Sequence, residues 1–190
     1  MIQNFGKIDF VIANASISMN GRFEDTKPHY FKSVVDSNIY SVVMPLFSFL
    51  PHLKKSNGSF TIISSIAGLF GVPTASAYCM GKMALTALHQ SLCAELSRYN
   101  VHLGIIYLGF TENDADKKTL AADGTLMLVP KRIKFIQLSQ RYTANAILNM
   151  IFKRKKKSVL SLTGKLTNTL SRIAPYIIQA LAKKSELKRG

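Results

Sequence analysis

Three stretches of the chain are short and nearly continuous in apolar residues: 9–13 (DFVIA), 59–64 (SFTIIS) and 101–108 (VHLGIIYL). A strand covered on both faces has no polar side with which to alternate, so these runs predict buried parallel strands. A weaker fourth lies at 158–162 (SVLSL). Between them the apolar residues recur at helical spacing. Phe31, Val34, Val35, Ile39, Val42, Val43 and Leu46 form one stripe, and Leu85, Leu88, Leu92 and Leu96 a second. Ala144, Ile147, Leu148, Ile151 and Phe152 form a third. Strands alternating with helices predict an α/β fold around a parallel sheet. Residues 112–138 follow neither period and are too long for an ordinary connection, so a lid or substrate loop is expected there. Beyond the fourth strand, Leu166, Leu170, Ile173, Ile177, Ile178 and Leu181 make an amphipathic stripe broken by Pro175. The segment 165–190 is therefore expected as a basic, amphipathic helix and tail.

The bulk numbers narrow the class. A chain of 190 residues, 47% of them hydrophobic, fits a single domain with a substantial core. Its longest apolar run, 39–50, has 12 residues and contains Pro45. That is short of the roughly 20 a membrane span needs, so a buried helix is expected. Two cysteines, Cys79 and Cys93, and no leader-like N-terminus point to a reduced, cytoplasmic setting. The net charge of +15 is concentrated in Lys153–Lys157 (KRKKK) and in Lys183, Lys184, Lys188 and Arg189. With no nucleic-acid motif beside them, these blocks read as solvated helix ends, and no nucleic-acid partner is expected. Peripheral membrane contact through the C-terminal stripe is the minor alternative.

The candidate chemistry begins at "SAYCMGKMAL", residues 76–85. Tyr78 and Lys82, four apart on a helix, share one face. A phenol of ordinary acidity is a poor proton shuttle at neutral pH, and a cation held nearby favours its anion. The pair could give a proton to a carbonyl oxygen, or take one from an alcohol. Chance alone supplies about 0.7 such pairs in a chain with 7 Tyr and 18 Lys, so the spacing needs support. Ser65 supplies some of it. It stands 13 residues before Tyr78, at the carboxyl end of a predicted parallel strand, where open α/β sheets bind ligands. Asn38 falls on an apolar stripe, where its amide needs partners. No residue set suggests a metal site.

The ordered motifs VIANASI, Asn38, SFTIISSIAG, YCMGK and GIIYLGFTEN together resemble the short-chain dehydrogenase/reductase family, from about Lys7 to Thr163. The resemblance implies a Rossmann-like, doubly wound sheet and reversible hydride transfer between NAD or NADP and a carbonyl or secondary alcohol, with NADP slightly preferred. It implies Tyr78 as acid-base, Lys82 as its activating neighbour and ribose ligand, Ser65 as the polariser of the substrate oxygen, and Asn38 as holder of a relay water. Asn14 and Ala15 would lie at the cofactor, and Gly109, Phe110 and Thr111 would line the nicotinamide pocket. The substrate would be a small carbonyl compound or alcohol. Leu126, Met127, Leu128, Val129, Phe135 and Ile136 hint that it is lipophilic. A homo-oligomer is expected.

Several positions depart from the family pattern. Asn-Asn-Ala-Gly reads here as Ala13, Asn14, Ala15, Ser16; Gly81 stands where a serine is common, and Leu108 where a proline is. The sequence has no G-x-x-x-G-x-G turn. The expectation is thus a partial Rossmann domain in which the first βαβαβ portion is missing and Met1 is an internal methionine of a longer enzyme. The remaining strand at 9–13 would form an exposed sheet edge, and cofactor affinity would be weak. The alternative reading is a non-catalytic remnant that keeps Tyr78, Lys82, Ser65 and Asn38 but cannot hold cofactor tightly.

Overall fold

A computed structural model of the chain describes residues 2–129 and 137–187. Phe135, Ile136, Lys188 and Arg189, which carried expectations above, lie outside them. The apolar runs form strands β1 (Phe10–Ala13), β2 (Ser59–Ser65) and β3 (His102–Leu108), and the weaker fourth lies at β6 (Lys157–Val159). These four make one sheet in the order β1-β2-β3-β6, every pair parallel. The register sets Ile62 beside Ile105 and Ser65 beside Leu108.

Alternate residues on β2 and β3 feed two cores. Phe60, Ile62, Leu103, Ile105 and Tyr107 pack with Val42, Leu46 and Leu53 of α2 (Pro28–Ser56) and Leu85 of α3 (Ser76–Glu95). On the opposite face, Ile63 and Ile106 meet Met150 of α4 (Gln140–Phe152). Side chains on a strand point alternately to either face, so this partition places helices on both sides of the sheet. The expected parallel α/β sheet flanked by helices is present.

Three features differ from expectation. The run at 39–50 lies in a helix, but only one face of it is buried; Tyr40, Met44 and Phe47 are exposed. By length and composition alone this helix could cross a membrane, yet Val34, Val35, Asn38, Val42, Leu46 and Leu53 are committed to the protein interior. It also continues through Pro45 and Pro51. Within the irregular segment, β4 (Lys118–Leu120) and β5 (Leu126–Leu128) form a small antiparallel pair joined by a turn at Gly124. The C-terminal stripe is two helices, α5 (Leu162–Ile173) and α6 (Pro175–Leu187), and Pro175 opens the second. A proline lacks the N–H that a helix interior needs but fits a first turn. A short helix, α1 (Ile2–Phe5), precedes β1.

As expected, β1 is an edge within this sheet, and Phe10 and Ile12 are exposed on it. The amino ends of the strands are tied together by side chains. Arg154, in a left-handed conformation (φ 47°), donates to Asn57 O at 2.9 Å and Asn100 O at 2.6 Å. The His102 ring bonds Ser59 Oγ at 2.7 Å through Nδ1 and Lys155 O at 3.0 Å through Nε2.

Candidate active site

The expected site residues converge on the carboxyl ends of the strands. Asn14 and Ala15 follow β1, Ser65 closes β2, and Gly109, Phe110 and Thr111 follow β3. Tyr78 and Lys82 lie in the first two turns of α3, and Asn38 faces inward from α2.

Lys82 is 3% exposed and donates to Ile63 O at 3.2 Å, two residues before Ser65. Its ammonium lies 5.6 Å from the centroid of the Tyr78 ring. Burial pushes its pKa down from 10.5 to about 8. The lysine is therefore charged at pH 7, though at a cost to the folded state. Tyr78 packs against the buried cluster formed by Met19, Val34, Val35 and Ala77. Ser65 ends its strand in extended geometry and caps the following 3-10 turn, accepting from Ala67 N at 3.2 Å.

Asn38 is fully buried and well satisfied. Its Nδ2 donates to Ile17 O at 2.7 Å and Val34 O at 2.8 Å, and its Oδ1 accepts from Ser16 Oγ at 2.8 Å. Ser41 Oγ donates to Ala15 O at 2.9 Å. The strap after β1 is thus hung from α2 through Ala15, Ser16 and Ile17, and none of these bonds uses the exposed Asn14. Sequence reasoning marked Ser16 only as a departure from the family pattern and did not identify Ser41. The available signal was a hydroxyl standing where the family pattern has glycine.

Two glycines let the Tyr78–Lys82 segment sit this deep. A Cβ on Gly68 would lie 2.8 Å from Lys82 O, and one on Gly81 would lie 2.6 Å from Asn38 Cβ. Gly81, noted in the sequence as standing where the family commonly has serine, is thus required by close approach of α3 to α2. On the far side of the site, Gly109 abuts Ser161, whose Oγ a Cβ would meet at 2.7 Å. Phe110 is 36% exposed, and Thr111 Oγ1 lies 3.4 Å from Thr143 Oγ1.

Leu126 and Leu128 are exposed on the β4–β5 pair, and Met127 is half-buried. A separate cleft of about 600 Å³ is lined by Val72, Pro73, Cys79, Met80, Met83 and Ala182, among others. Its α3 residues occupy the helix face turned away from Tyr78 and Lys82, so it is not part of this site. Among the described residues, no group of three or more His, Cys, Asp or Glu could hold a metal ion.

This arrangement can be compared with known proteins. A family profile described as short chain dehydrogenase matches residues 1–124. Dehydrogenase/reductase SDR family member 7B of Xenopus laevis is 28% identical over 191 residues, covering 97% of this chain and 59% of the relative. Human 17-beta-hydroxysteroid dehydrogenase type 1 is 34% identical over 105 residues, covering 55% of this chain and 32% of the relative. The chain thus spans about a third to three fifths of the length of these curated relatives. Among solved structures, a short chain dehydrogenase from Burkholderia cenocepacia in complex with NADP superposes with a TM-score of 0.77. It is 16% identical, and the match covers 95% of this chain and 73% of that one.

Proposed function

Because the chain belongs to the short chain dehydrogenase family, we propose that it carries the catalytic half of an oxidoreductase exchanging hydride between NADP or NAD and a carbonyl or secondary alcohol. One observation carries the reading. Tyr78, Lys82, Ser65 and Asn38 come from three different elements: the ammonium of Lys82 is buried beside the Tyr78 ring and bonds Ile63 O on the strand that Ser65 closes, and Gly81, next to Lys82, abuts Asn38.

The residues fit the nicotinamide end of a dinucleotide. An ammonium has three N–H donors. Lys82 commits one to Ile63 O, which also fixes its direction. The others suit the hydroxyls of a ribose. Asn14 and Ala15 offer an exposed backbone strap beside it, and Gly109, with no side chain, lets Ser161 close against the end of β3. The diphosphate end has no such provision here, because the chain contains no Gly-rich turn. Losing about three charge-assisted hydrogen bonds, each worth about 1.5–3 kcal/mol, moves a micromolar affinity to millimolar or weaker.

The bound nicotinamide supplies or accepts the hydride. Tyr78 holds the proton that moves to or from the substrate oxygen, and the Lys82 cation favours its anionic form. Ser65 donates to the same oxygen and orients it. Asn38, immobilised by its bonds to Ser16, Ile17 and Val34, keeps the relay beside Lys82 fixed. The exposed Leu126 and Leu128 favour a lipophilic carbonyl substrate, in keeping with a relative named for a hydroxysteroid.

The test is titration of the chain with NADPH and NADH by fluorescence, followed by turnover of a panel of aliphatic and steroidal ketones, with Tyr78→Phe as the control. Saturable binding in the millimolar range and turnover abolished by Tyr78→Phe are expected. Undiminished turnover in Tyr78→Phe would refute the assignment. A chain that binds neither nucleotide at any accessible concentration would leave only the non-catalytic reading.

A further inference from the structure

Two departures from the family pattern, Ser16 and Gly81, lie 65 positions apart in the sequence and touch the same side chain. Ser16 Oγ donates to Asn38 Oδ1 at 2.8 Å. On the opposite flank, Gly81 approaches Asn38 so closely that a Cβ there would stand 2.6 Å from Asn38 Cβ and 3.5 Å from Cγ. We infer that Ser16 and Gly81 are a coupled pair of positioning residues that together set where the Asn38 amide sits.

The geometry gives the coupling its direction. A substituent at position 81 would meet Asn38 at Cβ, next to the backbone, and not at the mobile tip. Asn38 could therefore not swing aside by a χ rotation, and it would have to move with α2. Its amide, however, is held by three bonds of 2.7–2.8 Å, two of them to the strap, at Ser16 and Ile17. Moving Asn38 breaks or stretches that set. Glycine at 81 thus lets α3 close on Asn38, and the hydroxyl at 16 holds the amide in the position this creates. Without the hydroxyl at 16, the amide is less constrained, and the intrusion of a side chain at 81 does less damage. The inference concerns placement of Asn38 and rests on the proposed function only for its consequence to catalysis.

Helix propensity makes the opposite prediction at position 81. By propensity alone, replacing a helical glycine with alanine or serine raises stability. The contact with Asn38 predicts that both replacements lower it, because overpacking a full site is destabilising.

The experiment is a double-mutant cycle of wild type, Ser16→Gly, Gly81→Ser and the double variant. The readouts are melting temperature and solvent exchange of the Asn38 side-chain NH2 in ¹H–¹⁵N spectra. Each single change is expected to lower the melting temperature by about 2–8 °C for a chain of this size. The double variant should lose clearly less than the sum, since contacting residues are not additive. The Asn38 NH2 should exchange at least about tenfold faster in Ser16→Gly, and Ser16→Thr, which keeps the hydroxyl, should restore slow exchange. Should Gly81→Ser not fold, Gly81→Ala replaces it in the same cycle.

Additive losses, a stabilised Gly81→Ala, or unchanged Asn38 exchange in Ser16→Gly would each overturn the coupling. None of these readouts requires nucleotide or turnover. An inactive chain with a non-additive cycle would defeat the enzymatic reading alone, and an active chain with an additive cycle would defeat the coupling alone.

Discussion

Lys82→Met should make this protein more stable at neutral pH while removing the cation on which the proposed chemistry depends. An ammonium that titrates near pH 8 in the folded chain and at 10.5 when free costs the folded state about 3 kcal/mol when charged. Methionine fills the same buried channel with a similar stem and carries no charge. It gives up the hydrogen bond to Ile63 O, worth about 1 kcal/mol. The net gain at pH 7 is about 2 kcal/mol, or about 4–8 °C in melting temperature for a chain of this size.

The pH dependence supplies the sharper signature. Between pH 8 and 10.5 the unfolded lysine holds its proton and the folded one has released it, so wild-type stability climbs with pH in that window. Below pH 8 the penalty is present in full. The advantage of Lys82→Met should therefore be largest at pH 7 and shrink steadily above pH 8. By about pH 10.5 it should reverse, because only the lost hydrogen bond remains. Thermal melts of the two proteins at pH 7, 8, 9 and 10.5 measure this directly. A variant less stable than wild type at pH 7, or a difference constant from pH 7 to 10.5, would refute the reasoning.

At the acid end, burial pushes the His102 imidazole below its usual 6.5 and does the same to His89. Both stay neutral in the folded chain while the unfolded chain takes up protons, so stability should fall as pH drops below about 6.5. His102→Gln should be less stable at pH 7, having lost the Ser59 and Lys155 bonds, but should melt with a shallower slope between pH 7 and 5; an unchanged slope would count against the assignment. At the exposed sheet edge, Ile12→Lys places a charge on β1. It should lower self-association in light scattering without lowering the melting temperature by more than a few degrees. Equal scattering would show that β1 is not the adhesive surface.

The parts of the fold legible in the sequence were those written locally. β2 and β3 are buried for nearly their whole length, so their apolar runs are unbroken. The stripes of α2, α3 and α4 each commit one face to a core. β4 and β5 were not legible because three residues cannot display a period, and Lys118 and Thr119 are polar. Neither Pro45 nor Pro51 stops α2. Pro51 is exposed and Pro45 half-buried, and carbonyls freed by a proline on a wetted face can bond to water.

The same division runs through the site. Tyr78 and Lys82 announce themselves by spacing within one helix, and Asn38 by being polar on an apolar stripe. Ser16, Ser41 and Gly81 act through partners 22, 26 and 43 residues away. Nothing near them in the sequence marks the contact. Gly81 shows this most plainly: its departure from the family's serine is visible in the sequence, and the neighbour that requires it is not.

The guanidinium of Arg154, bonded at once to the carbonyls of Asn57 and Asn100, anchors three turns that sequence keeps far apart. The sheet consequently has one end fastened by a side chain and, at the other, the candidate site. Any displacement of β2 or β3 at the Tyr78 end is therefore referred to a fixed point at the opposite end. A lysine in place of Arg154 would lack the forked geometry to clasp both carbonyls.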